Sequence, residues 1–164
     1  MPRTDASTRR APRRGFQALV EDELRATNRL GGYRGSIVCT EQGLLVASAG
    51  DVRSDEALAG FASLFDAIVV RAGRDLELHA VDEVTLLDAR AGRLVIRPLP
   101  VGRAAADEPP VAEPTAGASE PLPRLFLVLW MRADATWRRN TTRLVASLVV
   151  HFEARASAEA ARDA

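Results

Sequence analysis

The sequence predicts a three-layer α/β/α sandwich in which helices cover both faces of a central antiparallel five-stranded sheet. The first observation is the order of patterns along the chain, which reads helix, two strands, helix, two strands, one strand and helix. The second is the segment RLFLVLWM (124–131), whose two alternating faces are both apolar, as in a strand covered above and below. The third is size, because 164 residues with 47% hydrophobic content suit one domain with a buried core.

The first half of the chain supplies a helix, a hairpin and a second helix. Apolar residues recur at helical spacing over residues 16–30, and two consecutive glycines then end the pattern. Strands are predicted over residues 35–40 and 44–49, around a tight turn in which Gly43 adopts a positive φ. The second helix is predicted over residues 53–72 and ends before the next glycine.

The second half supplies the remaining strands and a third helix. Strands are predicted over residues 76–88 and 93–99, with a loop as the alternative for residues 76–80. After the central strand, Asp134 is expected to cap the last helix. The apolar stripe of that helix consists of Trp137, Thr141, Leu144, Val145, Leu148 and Phe152.

Two segments have the composition of flexible chain. Residues 1–15 carry five Arg and one Asp, a local charge of 5 − 1 = +4, and are predicted to form a basic N-terminal tail. Residues 101–123 hold five prolines and one Arg against four acidic residues, 1 − 4 = −3, and are predicted to form an acidic disordered insert. The domain is therefore predicted over residues 16–152, followed by a fraying C-terminal tail over residues 153–164.

Composition excludes several classes of partner and enzyme. All 22 basic residues are Arg, which removes a P-loop lysine, a Schiff-base lysine and a Ser-Lys dyad. These charges balance 22 acidic residues, which argues against a nucleic-acid partner. No apolar run approaches the roughly 18 residues of a membrane span, and Cys39 has no second cysteine for an internal disulfide. We therefore expect a cytoplasmic protein without a membrane span.

No catalytic, cofactor-binding or metal-binding residue is predicted. His79, His151 and Cys39 lie far apart and lack the spacing of a metal site. The glycine-rich segment 31–35 follows a helix and precedes a strand, which is the reverse of a phosphate-binding loop. We therefore expect a protein that is not an enzyme and has no cofactor.

The second predicted helix is too apolar for a helix with a solvent-exposed side. In ALAGFASLFDAIVV (57–70), Asp66 is the only charge, whereas a helix that lies on a sheet and faces water has a polar stripe. The residues assigned to the sheet are Leu58, Phe61, Ala62, Phe65 and Val69. The residues that face outward, and that are predicted to form a homodimer interface, are Gly60, Ser63, Leu64, Ala67, Ile68 and Val70. The alternative is an ordinary helix whose small residues tolerate exposure.

One group of basic residues surrounds an aromatic residue within the predicted domain. Arg132, Arg138, Arg139 and Arg143 flank Trp137 at the start of the last helix. They are candidate contacts to an acidic partner surface or to phosphates. The preferred interpretation is a solvated face of the last helix with Trp137 in the core, and the balanced net charge argues further against a nucleic-acid partner.

Four segments carry a resemblance to a known family: GYRGSIVCTEQGLLVASAG (32–50), EALA (56–59), RLVIRPLP (93–100) and RLFLVLW (124–130). With the helices around them they resemble the roadblock/dynein light chain family domain over nearly all of residues 16–152 except the insert. The match is a pattern of small and apolar positions, and profilin, longin and PAS-like domains share the same layered order.

The resemblance implies a homodimer, or a heterodimer with another roadblock protein, formed through the second helix and an adjacent edge strand. The two sheets then join into one continuous sheet. It also implies small Ras-like GTPases as partners, which bacterial members of the family activate or scaffold in cell polarity and gliding motility. Activating members have no consistent arginine finger, so the resemblance assigns that role to no Arg of this chain.

We therefore expect a non-enzymatic, dimeric regulatory or scaffolding module that binds a small Ras-like GTPase. One alternative is an adaptor that pairs with another roadblock or signalling protein and does not contact a GTPase. A second alternative is a small-molecule sensor, which needs a polar-lined cavity beneath the sheet.

Overall fold

The computed structural model of the protein describes residues 15–51, 55–78, 81–88, 90, 92–101 and 123–163. Residues 1–14 and 102–122 lie outside this part of the chain. The basic tail and the acidic insert predicted there therefore stay predictions.

Three helices and five strands make up the described domain. The elements are α1 (Phe16–Gly31), β1 (Gly35–Thr40), β2 (Leu45–Gly50), α2 (Asp55–Leu76), β3 (Val84–Asp88), β4 (Gly92–Leu99), β5 (Leu125–Met131) and α3 (Arg138–Asp163). The strands form one sheet in the order β2-β1-β5-β4-β3, and every neighbouring pair is antiparallel. The predicted five-stranded antiparallel sheet is confirmed, with β5 at its centre and β2 and β3 at its edges.

Helices cover both faces of the sheet, as predicted. On one face, Val20 and Leu24 of α1 and Leu144 of α3 pack in one cluster with Leu127 of β5. On the other face, the Phe65 ring of α2 meets the Phe126 ring edge-on, with 5.4 Å between the ring centroids. Successive residues of β5 thus enter opposite cores, which is why its sequence is apolar at every position. This arrangement is the three-layer α/β/α sandwich.

Two glycines have the backbone conformations that the turns require. Gly32 adopts φ 63° and ends α1 as a left-handed cap. Gly43 adopts φ 79° in the β1–β2 turn, and a Cβ there would lie 3.0 Å from the carbonyl oxygen of Ala59. The turn therefore packs directly against the N-terminal half of α2, and a glycine at 43 permits both the turn and the close approach.

The predicted end of α2 and the predicted start of β3 were both wrong. Gly73 lies inside α2, which continues to Leu76 and is followed by Glu77 with φ 54°. An interior glycine costs a helix only about 1 kcal/mol, which the burial of the inner face of α2 offsets. The strand begins at Val84, so the loop alternative for the segment after α2 describes residues 77 and 78 correctly.

The last helix begins later than predicted. Asp134 does not cap α3, because its carboxylate accepts two hydrogen bonds from the Arg132 guanidinium, at 3.0 and 2.8 Å, and the helix begins at Arg138. At the other end α3 continues to Asp163, past the predicted domain boundary at residue 152. The expectation that residues 153–164 fray stays a prediction. No helix in the described ranges is long and apolar enough to cross a membrane.

Cys39 is a buried residue of β1, and burial raises the pKa of its thiol to about 12. The thiol is therefore protonated at neutral pH, whereas the thiolate is the reactive form. We expect the folded protein at pH 8 to resist iodoacetamide, and the urea-unfolded protein to be alkylated at the rate of a free cysteine. Mass spectrometry of timed aliquots measures both rates. Equal rates in the two states would contradict the burial of Cys39.

Candidate interaction surface on α2 and β3

The outer face of α2 is apolar and exposed. Phe61, Leu64, Ile68 and Val70 have between 48% and 59% of their surface accessible. Isolated exposed apolar residues are ordinary, but a contiguous group on one element marks an interaction site. The structure thus places four large apolar side chains on the solvent-facing side of one helix.

The predicted interface residues lie close to one line along the outer side of α2. At about 100° per residue, Gly60, Leu64 and Ala67 lie within an arc of about 60°, and all three are exposed. Ile68 and Val70 flank this arc on opposite sides. The side chain of Ser63 lies outside the described part of the structure. The small residues along the central line leave room for the backbone of another helix.

Phe61 corrects one of the sequence assignments. It was assigned to the sheet, but it is half-exposed and joins the outer face. The assignment of Phe65, which is buried, and of Val69, which packs against the same core, to the sheet side is confirmed, and Ala59 is buried there as well. The side chains of Leu58 and Ala62 lie outside the described part of the structure. Phe61 lies about 100° from Gly60 around the helix, at the boundary where a pattern of apolar residues alone does not separate inside from outside.

The single charge in the apolar run points away from the outer face. Asp66 accepts a hydrogen bond of 2.7 Å from the Arg124 guanidinium, at the start of β5. The backbone N–H of Arg124 also donates to the Glu41 carboxylate, at 3.3 Å. The ion pair between Asp66 and Arg124 links α2 to the sheet. Because Asp66 is the only charged residue between Gly60 and Val70, the outer side of this part of α2 carries no charge.

The apolar surface of α2 lies beside an uncovered part of the sheet. α2 packs over β2, β1 and β5, whereas β3 is the far edge strand. Leu86 of β3 faces the α2 side, because it is aligned with Leu94 of β4 and, through it, with Trp130 of β5. Leu86 is about half exposed, and Leu94 and Trp130 are only partly buried. The sheet therefore has an apolar strip beside α2 that no residue of the described structure covers fully.

Several solved structures share this architecture. Myxococcus xanthus MglB is 12% identical, with 94% of this chain and 96% of that chain covered and a TM-score of 0.63. The gliding protein MglB of Thermus thermophilus is 16% identical, with 85% and 93% covered and a TM-score of 0.61. A Roadblock/LC7 domain of Streptomyces avermitilis is 14% identical, with 78% and 92% covered and a TM-score of 0.55.

The chain has the roadblock/LC7 fold. The fold that the sequence resemblance implied is confirmed. No protein-family model and no curated protein matches the chain. Sequence identities of 12–16% establish the fold alone. The chemical properties of the α2 and β3 surface therefore follow from the residues of this chain.

The four arginines predicted as partner contacts, Arg132, Arg138, Arg139 and Arg143, differ in their surroundings. Arg139 and Arg143 lie four residues apart on one side of α3. Arg132 is bound to Asp134, and the Arg138 guanidinium lies 4.0 Å from the Glu83 carboxylate. Arg139 is exposed, and Arg143 lines a groove of about 290 Å³ between α1 and α3. Arg143 follows Arg138 by five positions, which places the two residues about 140° apart around α3. Trp137 is partly buried and packs against the α1–α3 core.

Sequence reasoning missed Leu86 and Phe61 as surface residues. The exposure of Leu86 could have been predicted, because a sheet of five strands is wider than the single helix that covers one of its faces. Within the described ranges, no group of three or more His, Cys, Asp or Glu side chains could hold a metal ion. His151 lies 3.5 Å from the Glu23 carboxylate, on the α1–α3 side of the fold.

Proposed function

We propose that this chain is a non-enzymatic module that forms a homodimer through α2 and β3. The observation that carries the proposal is the exposed apolar face of α2, which continues onto the uncovered apolar strip at Leu86. An edge strand such as β3 presents backbone N–H and C=O groups to a further strand. A second copy therefore supplies two matching elements at once, a helix for the α2 face and a strand for the β3 edge.

The free energy expected from burying this apolar surface supports a dimer. Burial of a few hundred Å² of apolar surface per protomer, at about 25 cal/mol per Å², contributes several kcal/mol. Pairing of β3 with its counterpart adds backbone hydrogen bonds, each worth about 1 kcal/mol net. These gains offset the entropy that the two chains lose on association. A two-fold axis places the same surface on both protomers, so large residues such as Leu64 can pack beside small ones such as Ala67.

We further propose that the dimer binds a small Ras-like GTPase as a regulatory or scaffolding partner in cell polarity or motility. The likeness in fold to MglB, one example of which is described as a gliding protein, supports this assignment. No catalytic role is assigned to any residue, so the module acts through the surfaces that it presents.

Binding to the Ras-like GTPase encoded nearest this gene tests the proposal. The purified chain is immobilised and the GTPase is added in its GDP form and in a GTP-analogue form, with GTP turnover measured in parallel. We expect binding to at least one nucleotide state. Absence of binding to both states would contradict the GTPase proposal and would leave the dimer proposal standing.

An adaptor function is the second candidate, and the arginine contacts favour it. Arg132 and Arg138 are engaged by Asp134 and Glu83 of the same chain, which leaves less free positive charge for a GTPase. In this case α2 and β3 pair with another roadblock protein. Size-exclusion chromatography of the chain mixed with candidate roadblock partners distinguishes the two functions. A new hetero-oligomer without a change in GTP turnover supports the adaptor.

A further inference from the structure

Glu83, which immediately precedes β3, is fastened to the start of α3. Its side chain is only 13% exposed. One carboxylate oxygen accepts a hydrogen bond of 3.0 Å from Trp137 Nε1. The other accepts a bond of 3.2 Å from the Thr85 hydroxyl and lies 4.0 Å from Arg138 Nε. The residue before the edge strand and the two residues at the start of α3 therefore share one buried carboxylate.

Two arginines of β4 reinforce this link. The Arg93 guanidinium stacks on the Trp137 ring, 4.0 Å from its centroid, and donates to the Ala135 carbonyl oxygen at 3.2 Å. The Arg97 guanidinium donates to the carbonyl oxygen of Asp82 at 3.4 Å and to the Thr141 hydroxyl at 3.1 Å. The segment before β3 is thus attached to the first turn of α3 at two separate points.

The strand itself has few other restraints. Leu86 and Leu87 are adjacent residues of β3, so their side chains point to opposite faces of the sheet, and both are exposed. Neither helical layer therefore covers β3 at this point, and β4 is the strand that pairs with it in the described sheet. Glu83 links this edge strand to Trp137, because its carboxylate accepts hydrogen bonds from both Thr85 and Trp137.

We propose that Glu83 and Trp137 couple pairing at the β3 edge to the conformation of the first turn of α3, where Arg138 and Arg139 lie. The inference rests on the proposed dimer and adds a regulation to it. Pairing of the chain with a second copy stabilises the arginine-bearing turn on the opposite side of the sheet from α2. An acidic partner surface then meets a turn that is more ordered in the dimer than in the monomer.

Hydrogen–deuterium exchange of the full chain tests the coupling, with Leu64→Arg as the monomeric reference. The substitution lies on α2, on the other face of the sheet from α3, so a direct effect on α3 is not expected. Peptides that cover residues 84–88 and 138–144 are followed by mass spectrometry, and sedimentation velocity is run on the same samples. We expect slower exchange in the wild-type dimer than in Leu64→Arg for both peptides.

Glu83→Ala separates coupling from dimerisation. We expect Glu83→Ala to remain a dimer in which residues 84–88 stay protected from hydrogen exchange. The difference in exchange rate between dimer and monomer at residues 138–144 is lost in this variant. Trp137→Phe removes the N–H donor, together with part of the aromatic surface on which Arg93 stacks, and gives the same loss. Asp82→Ala is the matched control, because its backbone carbonyl still accepts from Arg97, and it behaves as wild type.

Three outcomes overturn the inference. The first is equal exchange at residues 138–144 in wild type and Leu64→Arg, although sedimentation shows a dimer and a monomer. The second is a coupling that survives in both Glu83→Ala and Trp137→Phe. The third is a wild-type chain that sediments as a monomer at every concentration, which also overturns the proposed dimer, whereas the first two leave the dimer intact.

Discussion

We expect Leu64→Arg to convert the proposed dimer to a monomer. Leu64 lies in the centre of the exposed apolar face of α2, so the two-fold dimer contains the substitution twice. Burial of an unpaired guanidinium costs about 3–5 kcal/mol, which weakens the dimer by at least about two orders of magnitude. The monomer stays folded, because residue 64 is exposed in the single chain and Arg is a good helix former. Sedimentation velocity measures the change in mass.

Val150→Arg is the matched control for this prediction. Val150 is also an exposed apolar residue in the middle of a helix, but it lies on α3, on the other side of the sheet. We expect this variant to remain a dimer with the wild-type dissociation constant. If both variants or neither became monomeric, the assignment of the interface to α2 would be wrong.

Leu127→Ala destabilises the fold by about 2–5 kcal/mol. Leu127 is fully buried in β5, the central strand, and packs in the cluster formed with α1 and α3. Truncation leaves a cavity between the sheet and two helices that belong to the same rigid layer, so little relaxation fills it. Urea unfolding, followed by far-UV circular dichroism at one fixed protein concentration, measures the loss.

Leu30→Ala provides the same chemical change at an exposed position of α1. We expect its free energy of unfolding to lie within about 0.5 kcal/mol of the wild-type value. A Leu127→Ala variant as stable as Leu30→Ala would show that Leu127 is not buried between β5 and the layer formed by α1 and α3. It would therefore contradict the three-layer architecture and not the dimer.

The elements that the sequence predicts well are those in which a local pattern and the tertiary environment agree. The bounds predicted for β1 are those of the structure, because glycine and polar residues delimit a short apolar run. β5 is apolar at each position because both of its faces are covered. Gly43 has the positive φ that the hairpin needs. In these places the chain neighbours of a residue determine its conformation.

The sequence fails where the structure is decided by side-chain contacts, local or distant, that no periodic pattern indicates. Asp134 has the identity of a helix cap, but Arg132 binds it and α3 begins later. A glycine such as Gly73 often ends a helix, but α2 continues to Leu76 because its inner face is buried. The bond between Glu83 and Trp137 joins residues 54 positions apart, and no pattern within either segment indicates it.

For the candidate surface too, some features follow from local sequence patterns and others depend on the fold. The excess of apolar residues in α2 is visible in the sequence, because it needs only the helical period and a count of charges. The place of Leu86 beside that helix depends on the strand order of the sheet. The angle of about 140° between Arg138 and Arg143 follows from their five-position spacing in a helix, whereas the approach of Arg138 to Glu83 depends on the fold.

Sedimentation equilibrium of the unmodified chain tests the central claim most directly. The measurement is made across a range of concentrations around the micromolar level, with the monomer mass of 17.7 kDa as the reference. The pairing of two outer faces of α2 predicts a species of twice this mass that dissociates on dilution. A single species at the monomer mass over the whole range would show that α2 keeps its apolar face in water.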